Sequence, residues 1–545
     1  MTPEDEGRAQ GQGLVLPGEM PRRRLLQLFG VGSLGAITLG AAGCSSSSSG
    51  GSTTTPSTPT TTAAAGTPKR GGMLRFASTG GGGNSDTLDP VHAIYDPDLA
   101  RAHQLFDQPM HFDNLGRVQP GLIAELTPNA NATVWTARLQ SGVTFHDGKP
   151  LTADDLIYTF QQIANKKKPG TGAGAIAQID IPKLKKLDNL TVQIHCTSPF
   201  STLPATLCGV YYYVIPTNFN PAKPIGTGPF MFGSFSPGNS SIFRRNPNYW
   251  QEGKPYADKI TITDFNDETS MLNALLAKQV DMANLSTMSE AKQVKSGGGN
   301  YVVSKTGGYV PFVMETDTAP FADVRVRTAM RLIVDRDQLN SVVYGGAGAI
   351  GNDVFGLFDP LYDHSLPQRV QDIAQAKSLL KSANQSDLHL TLTTGSIGPG
   401  SIQAAQVFAQ QARSAGVSVK VQTLTSTAFF ADTFLHRLFT QDYWFAKPYL
   451  ANVAMATGPH AQYNETHFKN ANYNKLFGQA LSTTDPAKQA SIVHDMMKID
   501  YDEGGNIIPA FVPSIDCFGG TVNGVLESVG GIPFNEYDFK SVWLA

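Results

Sequence analysis

Apolar and polar positions alternate through Met73-Leu74-Arg75-Phe76-Ala77, a two-residue period that predicts a first strand, and the same period returns at 134–139, 190–195 and 260–262. Between these runs the period changes to that of a helix. Leu156, Ile157, Phe160 and Ile163 fall on one helical face behind Thr152 and Asp155, which have capping-box spacing. Asp267 and Glu268 open a second helix whose inward face is expected to hold Met271, Leu272, Leu275 and Leu276. Further along, the pattern predicts one helix over 323–343, another over 372–382, a strand at 388–392, a helix over 403–415 stopped by Gly416, and a strand at 417–421. Asp485-Pro486 is an N-cap and first-turn pair for a long helix that buries Ile492, Val493, Met496 and Met497. Strands interleaved with helices predict α/β lobes.

The first seventy residues follow none of these periods. Arg22, Arg23 and Arg24 lead into a short, Gly-rich apolar stretch that ends at Gly43-Cys44, and 45–68 is nearly all Ser, Thr, Gly, Ala and Pro. A basic segment, a modest apolar run and small residues make a removable export signal, too short for a membrane span. Residues 44–68 are too polar to fold and read as a tether. The Arg pair followed by two leucines resembles a twin-arginine export signal, and Ala41-Ala42-Gly43-Cys44 resembles a lipoprotein cleavage site. That resemblance implies lipid on Cys44 and a protein held at the outer face of the cytoplasmic membrane or in the periplasm.

The rest of the 545-residue chain is too long for one core and suits two or three lobes. A net charge of −3 supplies no basic field for nucleic acid. In an exported protein Cys196 and Cys208 are close enough to form a local disulfide, leaving Cys517 as a buried thiol. No Cys-x-x-Cys pair exists and the eleven histidines lack ligand spacing, so neither a metal nor a cofactor is expected.

A set of ordered motifs carries a wider resemblance: Arg70-Gly71-Gly72, Leu88-Asp89-Pro90, Thr144-Phe145-His146-Asp147-Gly148, Gly226-Thr227-Gly228-Pro229-Phe230, Arg245-Asn246-Pro247-Asn248-Tyr249-Trp250, and Pro320-Phe321-Ala322-Asp323. From about residue 70 onward the chain resembles the extracytoplasmic solute-binding proteins of peptide, dipeptide and nickel ABC importers. The resemblance implies a two-lobe type II periplasmic-binding-protein fold with a subdomain inserted in the first lobe. Its boundaries are expected at 69–112, 220–305 and 512–545 for the first lobe, 113–219 for the insertion and 306–511 for the second lobe, with hinges near Gly307 and Phe511. The implied partners are a small-molecule or peptide ligand and the permease and ATPase of an importer, the protein itself acting as a monomer without making or breaking bonds.

Most of these motifs read as structural, His146-Asp147-Gly148 as a turn. In peptide-binding relatives a Trp-x-Ala-Asp pattern supplies an aromatic wall and a carboxylate for the peptide ammonium. Here Trp444 and Ala446 are kept, but Lys447 stands where the Asp would be, and a cation cannot pair with an ammonium. The expected ligand residues are Trp444, Phe445, Lys447 and Tyr449 together with Gly82 and Asn84 in the loop after the first strand. Glu315 is either an alternative ammonium anchor or the partner of Arg325 or Arg327. Two rivals differ in class. A penicillin-recognising enzyme is suggested by Ser289-Glu290-Ala291-Lys292 and Lys305-Thr306-Gly307, but these lie too close in the chain for separate catalytic elements. A lipoprotein sensor or chaperone of the same fold would share every motif.

Overall fold

The computed structural model describes residues 67–81, 83–430 and 435–545. Cys44, Gly82 and the export segment lie outside the described residues. Two mixed sheets dominate. The larger has eight strands, seven of them in the order Asn300–Tyr309, Ala510–Phe518, Met282–Leu285, Met73–Thr79, Lys259–Phe265, Ser240–Arg245 and Phe230–Ser236. Met73–Thr79 is central and runs parallel to both of its neighbours, which suits a strand buried on both faces by Leu74, Phe76 and Ala77. The second sheet has five strands in the order Ser418–Leu424, His389–Gly395, Phe439–Gln441, Phe312–Met314 and Asn506–Ile507. A third, four-stranded antiparallel sheet comes from one continuous stretch between Ile123 and His195.

Local signals account for most element ends. Thr152 and Asp155 close the capping box of helix Ala153–Ile163, with the Thr152 amide and hydroxyl donating to Asp155 at 2.9 and 2.8 Å. Asp267 caps Glu268–Leu276 by accepting from the Ser270 amide at 2.8 Å, and Asp485 caps Pro486–Glu503 by accepting from the Lys488 amide at 2.8 Å. Leu276, expected inside, is exposed at the end of its helix. The helix expected over 323–343 is two helices, Val324–Leu332 and Arg336–Tyr344. Asp335 separates them because its carboxylate accepts the Gln338 amide at 2.9 Å and starts a new N-terminus inside an otherwise continuous apolar pattern.

Two buried arginines collect carbonyls at the end of the long helix Pro486–Glu503. Arg331 donates to the oxygens of Tyr501 at 3.1 Å, Asn506 at 3.1 Å and Gly504, while Arg327 donates to that of Glu503 at 2.5 Å. Unpaired carbonyls and the negative end of the dipole meet positive charge there, which makes burial of both guanidiniums tolerable. Burial, helped by the like charges of Arg369 and Arg327 and opposed by Asp353 and Asp500, pushes the Arg331 guanidinium down to about 9.

The cysteine expectation is corrected. Cys196, Cys208 and Cys517 are all free thiols. Cys208 is turned into the core, its thiol donating to the Pro204 carbonyl at 3.3 Å, whereas Cys196 stays half-exposed with its backbone bridged to Ile179. Burial raises both thiols above their ordinary range, Cys196 to about 11, so neither presents a thiolate for exchange.

Two direct crossings join the two large sheets, in addition to the excursion by which the short strand Ala349–Ile350 returns to pair with Ala510–Phe518 in the first. Asn300–Tyr309 in the first sheet is followed at once by Phe312–Met314 in the second, and Asn506–Ile507 in the second by Ala510–Phe518 in the first. The long strands of this pair are antiparallel neighbours, with Tyr309 opposite Phe511, and the Thr306 hydroxyl donates to the Val512 carbonyl at 2.6 Å. Away from this crossing the bodies touch again: the Ser201 amide donates to Leu481 O at 3.0 Å, its hydroxyl to Ala480 O at 3.0 Å, and Gln489 Nε2 donates to Ser201 Oγ at 2.9 Å.

Candidate functional site

The segment that follows strand Phe439–Gln441 leaves the second sheet and runs beside the crossing. Trp444 exchanges both backbone hydrogen bonds with Tyr309, each 2.9 Å, and Ala446 lies against Gly307, where an added Cβ would stand 3.3 Å from its methyl. A strand-like segment alternates its side chains, so this pairing decides which residues face inward. Trp444 is only 5 % exposed and packs with Tyr309, Phe355, Tyr449 and Phe511. Tyr443 and Phe445, on either side of it, are half-buried, their rings meeting edge to face at 5.0 Å. The aromatic surface beside the crossing is therefore made by Tyr443 and Phe445, while Trp444 supplies packing beneath them.

A charge that acts on Tyr443 comes from a group that the sequence did not single out. Burial raises the Tyr443 phenol and the carboxylate of Asp96 adds to the rise, and the same two causes act on Tyr211. Asp96 opens helix Asp96–Leu105, packed on the first sheet, so its charge acts on Tyr443 from the other body. Burial pushes this carboxyl up to about 6 against the pull of the Tyr537 hydroxyl beside it. Gly398 is needed on the near side, because a Cβ there would lie 2.9 Å from the Tyr443 side chain. Nothing in the local pattern at Asp96-Pro97 marks this carboxylate as acting on a distant loop.

The other expected ligand residues divide. Tyr449 is fully buried: its hydroxyl donates to Asp500 at 2.5 Å, lies 3.2 Å from that of Tyr473, and its ring stacks on Phe355 at 5.0 Å. It belongs to the core, which corrects its placement in a binding site. Lys447 is half-buried just beyond Ala446. Glu315 is buried, but the expected ion pair is absent, because Arg325 pairs with Asp323 at 2.6 Å and Arg327 is taken by carbonyl oxygens. Its charge acts instead on His467, where burial lowers the imidazole but the Leu435 carbonyl, Asp317 and Glu315 together hold it above its ordinary value. Asn84 is exposed in the turn Gly83–Ser85.

The sequence motifs resolve into one supporting network in the first sheet's body. Asp107 accepts from the Thr227 hydroxyl at 2.9 Å, the Tyr249 hydroxyl at 2.8 Å and the Trp250 indole at 3.0 Å. Asn246 Nδ2 donates to Gly228 O at 3.1 Å, and His146 Nε2 meets the same oxygen at 3.0 Å. Gly226 packs so closely that a Cβ would come within 2.0 Å of Leu105 O. These residues are thus spent on holding loops together.

The bacterial extracellular solute-binding proteins, family 5, match residues 117–443. The chain is a family 5 solute-binding protein. The family 5 assignment agrees with curated relatives: the periplasmic murein peptide-binding protein MppA of Escherichia coli is 25 % identical over 62 % of this chain and 68 % of its own. Di/tripeptide-binding protein 2 of Pseudomonas aeruginosa is 25 % identical over 59 % of this chain and 66 % of its own. The fold matches that of the substrate-binding protein CtaP of Listeria monocytogenes, with a TM-score of 0.76 at 20 % identity over 87 % of this chain and all (100 %) of that one. As a type II binding protein, the family 5 chain has two α/β lobes built on the two large sheets. Among the described residues no helix is long and apolar enough to cross a membrane.

Proposed function

We propose that this protein is an exported, lipid-anchored carrier that captures a small polar ligand, peptide or peptide-like, between its lobes and delivers it to an ABC importer. The observation that carries the reading is the half-buried pair Tyr443 and Phe445 beside the crossing, with Tyr443 within reach of the charge of Asp96 from the other lobe. An aromatic surface with a few placed polar groups is what a closing cleft needs. The names of the peptide-binding relatives support the ligand class. Residues 113–219 serve as a subdomain within the first lobe, and hinges near Gly307 and Phe511 let the lobes close. Lys447, where a peptide carrier would hold an Asp, disfavours a ligand whose free ammonium lies at that end; a carboxylate, phosphate or hydroxyl is accepted there.

Mass spectrometry of what co-purifies with the protein, followed by calorimetry of that compound against a peptide library, tests this reading. Tight binding of ordinary di- and tripeptides that depends on a free N-terminus and is unchanged in Lys447→Asp would remove Lys447 from the site. Anchoring rests on Cys44, since stable attachment needs lipid there. Cys44→Ala should release the protein or leave its signal uncleaved, and a normally processed, membrane-bound variant would refute the anchor.

A further inference from the structure

A cavity of about 270 Å³ lies in the first lobe, and none of residues 442–449 lines it. Its walls come from the end of helix Asp96–Leu105 and the residues after it, the strand Met110–Phe112, the Trp250–Lys254 loop and the C-terminal segment. At ~30 Å³ per water it has room for roughly nine waters, or one small organic molecule. Most polar groups on its walls are committed. Asp107 holds its three donors, Lys540 Nζ pairs with Asp538 at 2.5 Å, Lys254 Nζ donates to Ser541 Oγ at 2.8 Å, and Gln108 Nε2 donates to Cys208 O at 2.8 Å.

Among the charged side chains Glu536 is the exception. It lines the cavity, is 8 % exposed, and its carboxyl group has neither a hydrogen bond nor an ion pair among the described residues. It sits in a run from Phe534 to Tyr537 in which every residue has a left-handed backbone, Glu536 at φ 61°, so its direction is set by the main chain and not by a side-chain partner. A buried carboxyl without a partner is costly, and either a retained proton or a cation relieves it.

The charge around it selects the cation. Carboxylates on the cavity wall at Asp107, Asp113, Asp538 and Glu536 outnumber the ammonium groups of Lys254 and Lys540. His103 and His111 add nothing positive, since burial lowers both imidazoles, His103 to about 3. Among the described residues no three His, Cys, Asp or Glu side chains converge as metal ligands, so an organic cation fits better than a metal ion. We propose that this cavity is a second binding site, receiving a primary ammonium group on the carboxylate of Glu536.

Burial raises Glu536 to about 8, with Lys540 pulling it down and Asp538 pushing it up; Cys208 and Tyr213 feel its charge from the neighbouring segment. The empty site therefore holds a proton at neutral pH. An entering ammonium keeps its own protons and Glu536 releases one to solvent, which gives binding a signature that simple packing lacks.

Calorimetry on the full chain at pH 7, in two buffers of different ionisation enthalpy, tests the site with ethanolamine in one arm and Nα-acetyl-lysine methylamide in the other. The arms separate a free amine from a lysine side chain of a peptide. Saturable binding in either arm, with net proton release, is expected, weakened at least tenfold in Glu536→Gln. Leu526→Trp, at a 37 % exposed position on the cavity wall, should also block entry, and it decides the matter if Glu536→Gln fails to fold. No saturable binding in either arm overturns the proposal, as does binding without proton release or binding untouched by these substitutions.

Discussion

Removing the Ser201 hydroxyl should loosen the closed form and little else. Ser201 Oγ donates to Ala480 O at 3.0 Å and accepts from Gln489 Nε2 at 2.9 Å, joining the first lobe's body to the second far from the crossing. In Ser201→Ala both bonds go, but neither partner is stranded, because Gln489 Nε2 also donates to Ala480 O at 3.0 Å. The Ser201 amide still donates to Leu481 O. Two part-buried hydrogen bonds without orphaned groups are worth about 1–2 kcal/mol in total. If the contact forms only on closure, that energy is lost from the bound state alone, and ligand Kd should rise roughly 5- to 30-fold. The rise should appear mainly in the dissociation rate, since closure follows encounter. Stopped-flow fluorescence and calorimetry with the co-purified ligand measure both, and thermal unfolding of the ligand-free protein is the control. An unchanged Kd together with a lowered ligand-free Tm would show that the contact is permanent packing, and the closure argument would fail.

Four further outcomes are expected. Trp444→Ala should cost about 3–5 kcal/mol of stability, read as a lower Tm of the ligand-free protein, because the ring is packed and not offered to ligand; a cleft role would leave that Tm unmoved. Arg331→Met should destabilise by about 3 kcal/mol or more in denaturant titration, since it strands the carbonyls of Tyr501, Gly504 and Asn506. Asp500 and Asp516 are both raised by burial to about 7, so the folded state binds more protons than the unfolded one between about pH 4 and 7. Their contribution is full below pH 4 and declines as pH rises to 7, and Asp500→Asn should flatten that slope in Tm against pH. Alkylation and mass spectrometry of the unfolded, unreduced protein should find Cys196, Cys208 and Cys517 all modified; a 196–208 disulfide would refute the free-thiol arrangement.

Most of the fold could be read from the chain because its signals are local. The capping pair at Thr152 and Asp155 and the two-residue period at Met73 each act within a few residues, and the structure follows them. The break at Asp335 was concealed because the apolar face continues across it, and only the side-chain bond to Gln338 shows that a new helix begins. The site was less legible for a related reason. Trp444 and Tyr443 are adjacent aromatics, and which one faces inward depends on the pairing of Trp444 with Tyr309, a contact across the chain that no periodicity near residue 444 records. Tyr449 shared that ambiguity, and its hydroxyl proved to be committed to Asp500. The charge that acts on Tyr443 comes from Asp96, hundreds of positions away, a residue that no motif or period in the sequence marked.

The place of strand Ala510–Phe518 between Met282–Leu285 and Asn300–Tyr309 has a consequence for biogenesis. During synthesis the ribosome delivers every other strand of that sheet, and the whole five-stranded sheet, before this one emerges. Until then two strands that will end up on either side of it have unpaired inner edges, the kind of edge that recruits foreign strands. Completion of the first lobe must therefore wait for the final few dozen residues. A nascent or prematurely truncated chain would present a finished second lobe beside an open, aggregation-prone first one, and a chaperone acting on this protein would find its target at that gap.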